Sequence, residues 1–263
     1  MTEPSITLEN VRGILIDIDG VLITGDSAIS GAQEALDRIK TCGIPFRCVS
    51  NSTRRCRASI ASRLHRLGIE IQENSIFTPS LAAAKYIKES GRHRVYLLTM
   101  RDIEKDFEGL EFGTALPEID YVVVGDAGDV LTYSSLTKAF RYCLAGAEII
   151  ALEKDRYWMA SDGLSLSAGP FVTALEYATG KTAMVVGKPS KTFFNLALLD
   201  MGIDASNAIM IGDDVFTDID GAQNIGIRGV LVKTGKYHKE VLEKSGVQPS
   251  LILNSIKDIC TIL

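Results

Sequence analysis

The stretch Gly13–Leu22, GILIDIDGVL, is an apolar run that ends in two aspartates. The apolar run predicts a buried strand. An unpaired carboxylate at such a position loses several kcal/mol of hydration or takes up a proton. Asp17 and Asp19 therefore stand where folding alone gives no reason for an acid, and this strand end is the first candidate for a functional site.

Short apolar runs alternate with amphipathic stretches along the rest of the chain. A Ser-x-x-Gln pattern at Ser30 predicts the N-cap of the first helix. Glycines separate predicted helices from predicted strands at Gly43, Gly91, Gly146 and Gly202. This alternation is typical of α/β proteins, in which helices flank a parallel sheet.

Composition narrows the function classes. The chain has 263 residues, of which 46% are hydrophobic and 23% charged, and no run is long enough to cross a membrane. The first residues lack the pattern of a secretory signal, and the five cysteines form no CxxC pair, so we expect a cytoplasmic protein with reduced thiols. A net charge of −5 without a basic tract argues against nucleic-acid binding, and three scattered histidines argue against a histidine metal site.

Polar clusters follow four of the predicted segments. They are Asp17 and Asp19, Ser50 and Asn51, Lys188, and Asp213 and Asp214. Because ligands collect at the carboxyl ends of parallel strands, we expect these clusters to share one edge of one sheet.

Carboxylates that share a pocket repel each other, by about 4 kcal/mol for a pair about 4 Å apart at an effective dielectric constant of about 20. A hard divalent cation removes that repulsion, and oxygen ligands favour Mg²⁺ over zinc. An aspartate with an ordinary pKa of about 3.9 is an anionic nucleophile at neutral pH, which is the role we predict for Asp17. Asp19 would act as general acid and then as general base, so the predicted chemistry passes through an aspartyl phosphate.

Four motifs in this order resemble those of the haloacid dehalogenase (HAD) superfamily. They are DIDGV, CVSNST, VVGKPS and MIGDDVFTDIDGAQ. The resemblance implies a Mg²⁺-dependent phosphatase with a Rossmann-like core, acting on a small phosphorylated molecule and binding neither nucleic acid nor membrane.

The resemblance also implies a role for each motif residue. Asp17 would be the nucleophile and Asp19 the acid/base. The phosphate would be held by Ser50, Asn51 and Lys188. The metal would be held by Asp17, the backbone carbonyl of Asp19, and Asp213. Asp218 and Asp214 would lie in an outer shell, with the role of Asp214 less defined.

The distance between motifs predicts an inserted domain. Ser50 and Lys188 are 138 positions apart, whereas a crossover helix with its loops needs about 30. The excess of about 100 residues is enough for a second domain. This spacing is that of the class IIA members, so we predict a catalytic core at residues 1–78 and 184–263 and an α/β cap at 79–183.

Within class IIA, the chain looks most like the phospholysine phosphohistidine inorganic pyrophosphate phosphatase branch, on the segments GPFVTALEYATGKTAMVVGKPS and VKTGKY. The family implies a homodimer through the cap. Two interpretations of Trp158 stay open: it contacts the substrate, or it packs in the cap or at a dimer contact. A phosphotransferase or mutase would use the same residues, and a phospho-accepting switch is a third alternative.

Overall fold

A computed structural model describes residues 11–112, 118–160 and 162–262. Of the predicted domains, residues 1–10 and 263 of the core and residues 113–117 and 161 of the cap lie outside the described residues. The strands in chain order are β1 (Gly13–Asp17), β2 (Ile23–Thr24), β3 (Ser27–Ala28), β4 (Phe46–Val49), β5 (Ile76–Phe77), β6 (Arg94–Leu98), β7 (Glu111–Phe112), β8 (Tyr121–Val124), β9 (Glu148–Ala151), β10 (Tyr157–Ala160), β11 (Gly163–Leu166), β12 (Met184–Val185), β13 (Ala208–Gly212), β14 (Arg228–Val232) and β15 (Leu251–Leu253).

The α-helices in the described part of the chain are α1 (Ala32–Thr41), α2 (Arg57–Arg66), α3 (Pro79–Glu89), α4 (Tyr133–Leu144), α5 (Gly169–Thr179), α6 (Lys191–Met201), α7 (Gly221–Gln223) and α8 (Lys239–Ser245). Six of these α-helices have 10–12 residues, whereas α7 has three and α8 has seven. A single π-helical turn, Val215–Asp220, stands between β13 and α7.

The chain divides into two compact units. The first unit comprises Met1–Ser50, Ile60–Phe77 and Lys188–Leu263, and the second comprises Asn51–Ser59 and Thr78–Gly187. The boundaries predicted for the catalytic core and the cap, after residues 78 and 183, stay a prediction.

The described part of the first unit contains a six-stranded parallel sheet in the order β15-β14-β13-β1-β4-β5. All five residues of β1 are buried, as expected for a central strand covered on both faces. Ile14 and Ile16 of β1 pack with Ile209 and Ile211 of β13 in one apolar cluster. The hairpin β2–β3 leaves the sheet just after β1.

The second unit has a parallel sheet of its own, with strands in the order β12-β9-β8-β6-β7 in its described part. Its core includes Val122 and Val124 of β8, Ile149 of β9 and Val172 of α5. An antiparallel hairpin, β10–β11, joins this sheet to α5. The alternating pattern of the sequence thus produces two α/β units, each with its own parallel sheet. This confirms the predicted fold class.

The predicted cap of the first helix at Ser30 is wrong. Helix α1 begins at Ala32, and its N-cap is Gly31, which has a φ of +82° and makes no side-chain cap bond. A Cβ at this position would lie 2.6 Å from the side chain of Lys257, so glycine suits both the backbone angle and the space. The amide of Gln33 instead binds Asp37 and the backbone of Glu70.

Candidate active site

The strand order of the first unit brings three predicted site residues to one edge of the sheet. Asp17 ends β1 and lies beside Val49, the last residue of β4, so Ser50 begins the segment that leaves this edge. Asp213 directly follows β13, the neighbour of β1 on its other side. All three side chains are buried. Parallel pairing explains this convergence, because it aligns the carboxyl ends of adjacent strands.

Lys188 is the cation of this group. Its Nζ lies 2.5 Å from Oδ1 of Asp17 and 2.7 Å from Oδ1 of Asp218, and all three residues are buried. Asp17, Asp213 and Asp218 each offer an oxygen within 4.8 Å of the others. We call these three residues the acid cluster. Oxygen ligands at this separation are what a hard divalent cation requires.

Burial and nearby positive charges act in opposite directions on the carboxyl groups of the acid cluster. Burial raises the pKa of Asp17 well above its ordinary value, although Lys188 acts in the opposite direction. Burial also raises the pKa of Asp213 to about 6. Burial thus acts against the ordinary pKa that the sequence led us to expect for Asp17, because a buried carboxyl group loses the hydration that stabilises its charge.

The loop after β14 fixes Asp213. The backbone amide of Lys236 donates to Oδ2 of Asp213 over 2.6 Å, and the hydroxyl of Thr234 donates to the carbonyl of Gly20 over 2.5 Å. Gly20 and Gly235 have φ values of +94° and +59°, and a Cβ on either would lie 1.9 Å from Oδ2 of Asp213. Glycine is therefore required at both positions by backbone angle and by space.

Sequence reasoning assigned no role to this loop. The segment VKTGKY contributes to the family resemblance, and it also carries a local signal, since Thr234 and Lys236 follow β14 at the same edge of the sheet. The strand-end rule that selected the other clusters would have found a fifth cluster here.

Asp214 shapes the π-helical turn. Its Oδ1 accepts the backbone amides of Phe216 and Thr217, both over 3.0 Å, and its Oδ2 lies 3.4 Å from Nζ of Lys236. Burial acts to raise the pKa of Asp214, but these amides and the charge of Lys236 outweigh it and lower the pKa. The turn also carries Asp218, which accepts the amide of Asp214 over 3.2 Å.

Asp19 does not join the acid cluster. Its side chain is 62% exposed, and its Oδ1 lies 3.3 Å from Nη1 of Arg63. The backbone turns sharply here, since Asp19 bridges to Ile23 and the amide of Gly20 donates to the carbonyl of Ile23. Sequence reasoning placed Asp19 correctly beyond the strand end but missed Arg63, which has no motif around it.

Known proteins resemble this chain over nearly its whole length. Residues 14–113 match the family described as haloacid dehalogenase-like hydrolase, and residues 185–259 match a second family described as HAD-hydrolase-like. The haloacid dehalogenase-like hydrolase domain-containing protein 2 of Mus musculus is 44% identical over 245 residues, which are 93% of each chain. This chain belongs to the haloacid dehalogenase-like hydrolase family.

Other relatives of the chain are named for their activities. The phospholysine phosphohistidine inorganic pyrophosphate phosphatase of Homo sapiens is 40% identical over 236 residues, 88% of this chain and 86% of that protein. The p-nitrophenyl phosphatase from Archaeoglobus fulgidus superposes with a TM-score of 0.88 and 32% identity, and covers 97% of this chain and 100% of that one. Homologues of the chain are thus phosphatases, and the predicted resemblance to capped HAD phosphatases is confirmed.

Two predicted site residues of this HAD chain, Asn51 and Trp158, lie in the second unit. A Cβ at Gly187 would lie 3.1 Å from Oδ1 of Asn51. The ring centroid of Trp158 lies 5.4 Å from Cζ of Arg54, and the residue is 39% exposed. The roles proposed for Asn51 and Trp158 stay predictions.

No helix in the described ranges combines the length and apolar character of a membrane span.

Proposed function

We propose that this chain is a Mg²⁺-dependent phosphatase that hydrolyses a small phosphorylated molecule through an aspartyl phosphate on Asp17. The observation that carries the proposal is the buried contact of Asp17 with Lys188, beside Asp213 and Asp218, at the carboxyl edge of the sheet. A nucleophilic carboxylate, a fixed ammonium and a place for a cation are the parts that phosphoryl transfer needs. Phosphatases among the relatives support the same reading.

The residues present fit a magnesium ion. The acid cluster provides only oxygen ligands, and two of its three carboxylates share the ammonium group of Lys188. Asp17, Asp213 and the backbone carbonyl of Asp19 would hold the ion, with Asp218 in an outer position. When bound, Mg²⁺ would supply positive charge to the carboxylates and to an oxygen of the phosphoryl group.

The residues of the chain would act in two steps. In the first, an oxygen of Asp17 forms a bond to phosphorus, the bond to the leaving oxygen breaks, and Asp19 gives its proton to that oxygen. In the second, Asp19 takes a proton from a water molecule, whose oxygen attacks phosphorus and releases Asp17. Lys188 would balance charge on the phosphoryl oxygens in both steps, with Ser50 and Asn51 as further phosphate contacts.

We also propose that the chain forms a homodimer through the hairpin β10–β11. Four large side chains alternate along its two strands in paired positions and are exposed: Tyr157, Met159, Leu164 and Leu166. An exposed apolar face of this kind favours association. Leu164→Glu should shift the mass in light scattering from dimer to monomer, and an unchanged dimer would remove this proposal.

Free phosphate release tests the function. The panel is p-nitrophenyl phosphate, pyrophosphate, phosphoramidates, sugar phosphates, nucleotides and pyridoxal phosphate, each with Mg²⁺ and with EDTA. We expect release that needs Mg²⁺ and that Asp17→Asn abolishes, with Asp220→Asn as an acid-to-amide control outside the acid cluster. Transfer of phosphate to an added alcohol would indicate a phosphotransferase, and a long-lived phosphoprotein without turnover would indicate a switch.

A further inference from the structure

Arg63 contacts both the side chain of Asp19 and the hairpin that follows it. Its Nη1 donates to Oδ1 of Asp19 over 3.3 Å, and its Nη2 donates to the carbonyl of Gly25 over 2.6 Å. The same Nη2 lies 3.7 Å from Oδ1 of Asp26. One planar guanidinium thus joins the acid to the tip of the β2–β3 hairpin.

Both ends of this connection rest on the same apolar core. Ile60 and Leu64, which flank Arg63 on α2, are buried in the cluster that also contains Ile18 and Leu22. The helix that carries Arg63 and the turn that carries Asp19 are therefore fixed relative to each other. A cation on a fixed helix is suited to hold a carboxylate in one place.

Stability does not explain this contact well. The side chain of Asp19 is 62% exposed and that of Arg63 is 22% exposed, and ion pairs so open to water add little to the free energy of unfolding. The stronger contact of Arg63 is with Gly25, which leaves Asp19 held by one longer hydrogen bond. Arg63 therefore contacts the carboxylate through Oδ1 of Asp19, while the guanidinium itself is anchored on the hairpin.

We propose that Arg63 is the positioning residue for Asp19. It holds the carboxylate and the adjoining hairpin where Asp19 reaches the leaving oxygen, without touching the substrate itself. This inference rests on the proposed function, because it needs Asp19 to transfer a proton.

The test uses two aryl esters that differ in how much they need that proton. Phenyl phosphate has a poor leaving group and needs protonation, whereas 2,4-dinitrophenyl phosphate leaves as a stable anion. Values of kcat/KM report the step that forms the phosphorylated enzyme. For Arg63→Met we expect a loss of about tenfold to a hundredfold with phenyl phosphate and less than about threefold with the dinitrophenyl ester.

Three further variants separate positioning from folding. Arg63→Lys should recover part of the activity, and Arg66→Met, which removes an exposed arginine of the same helix, should match wild type. In an Asp19→Asn background, Arg63→Met should cause little further loss, since the two residues act as a unit.

The outcomes distinguish this inference from the proposed function. If wild type is active and Arg63→Met loses the same factor with both esters, or adds its full loss to that of Asp19→Asn, Arg63 does not position Asp19. If wild type releases phosphate from neither ester, both proposals fail.

Discussion

Two strands of this protein end in nearly the same sequence and have different surroundings. Strand β13 leads into Gly212-Asp213 in the first unit, and β8 leads into Gly125-Asp126 in the second. Both aspartates are buried at the carboxyl end of an inner strand of a parallel sheet. Asp126 accepts the amide of Gly128 and faces the guanidinium of Arg54 at 3.6 Å. Asp213 faces two other carboxylates.

Other buried acids of the second unit resemble Asp126. Asp106 accepts hydrogen bonds from Arg57 and Ser80, and Glu153 accepts them from the hydroxyl of Ser167 and the amide of Ala168. Acids with a full set of donors serve the fold, because their hydration is replaced within the chain. The carboxyl groups of the acid cluster instead lie within 4.8 Å of one another, which supports the proposed cation site.

The largest expected difference is in catalysis. Asp213→Asn should lower kcat/KM by about two to three orders of magnitude, because it removes a carboxylate that would stabilise charge at the reacting phosphoryl group. Asp126→Asn, the matched change in the second unit, should leave kcat/KM within about threefold of wild type. Steady-state kinetics with p-nitrophenyl phosphate measures both, and equal losses would show that the two strand ends do not differ in function.

Binding of Mg²⁺ allows the two aspartates to be compared without a substrate. A ligand that binds only the folded state adds about 2.7 kcal/mol to the free energy of unfolding at one hundred times its Kd. We expect Mg²⁺ to raise the Tm of wild type and of Asp126→Asn alike, and to leave that of Asp213→Asn nearly unchanged. A Tm of wild type that does not respond to millimolar Mg²⁺ would argue against a metal site in the acid cluster.

Alanine substitutions at two glycines with similar backbone angles should also have different effects in the two units. Gly180 ends α5 with a φ of +69°, and a Cβ there would meet no atom within 4 Å, so Gly180→Ala should cost only about 1–2 kcal/mol. Gly235→Ala adds a collision with Asp213 and should also lower kcat/KM by about tenfold or more. Chemical denaturation measures the free energy of unfolding of both variants, and steady-state kinetics measures kcat/KM. An unchanged kcat/KM for Gly235→Ala would show that the loop accommodates the added methyl group without displacing Asp213.

How much of the fold and of the site could be predicted from the sequence depends on how far apart in the chain the contacting residues are. The carboxyl ends of strands in a parallel sheet align regardless of the loops between them. The sequence therefore predicts that Asp17, Ser50 and Asp213 lie at one edge. The N-cap predicted at Ser30 is wrong, and the local sequence pattern does not contain the observation that favours glycine at the observed N-cap, Gly31, which is its close approach to Lys257, far along the chain. The role of Arg63 was missed for the same reason, because its contacts with Asp19 and Gly25 join segments that are far apart in the sequence.

The smallest effect is expected at Trp158, where the sequence leaves two interpretations open. Its ring faces Arg54 at 5.4 Å, a cation–π contact of about 0.5–1 kcal/mol at an exposed site, so Trp158→Phe should change the Tm little. As the only tryptophan in the chain, it reports its own surroundings by fluorescence. We expect p-nitrophenyl phosphate to change the emission of the inactive Asp17→Asn variant, and Trp158→Phe to raise KM a few-fold at unchanged kcat. If emission stays constant at saturation and KM does not move, Trp158 belongs to the packing of the second unit or to the dimer contact, and substrate recognition rests on other residues.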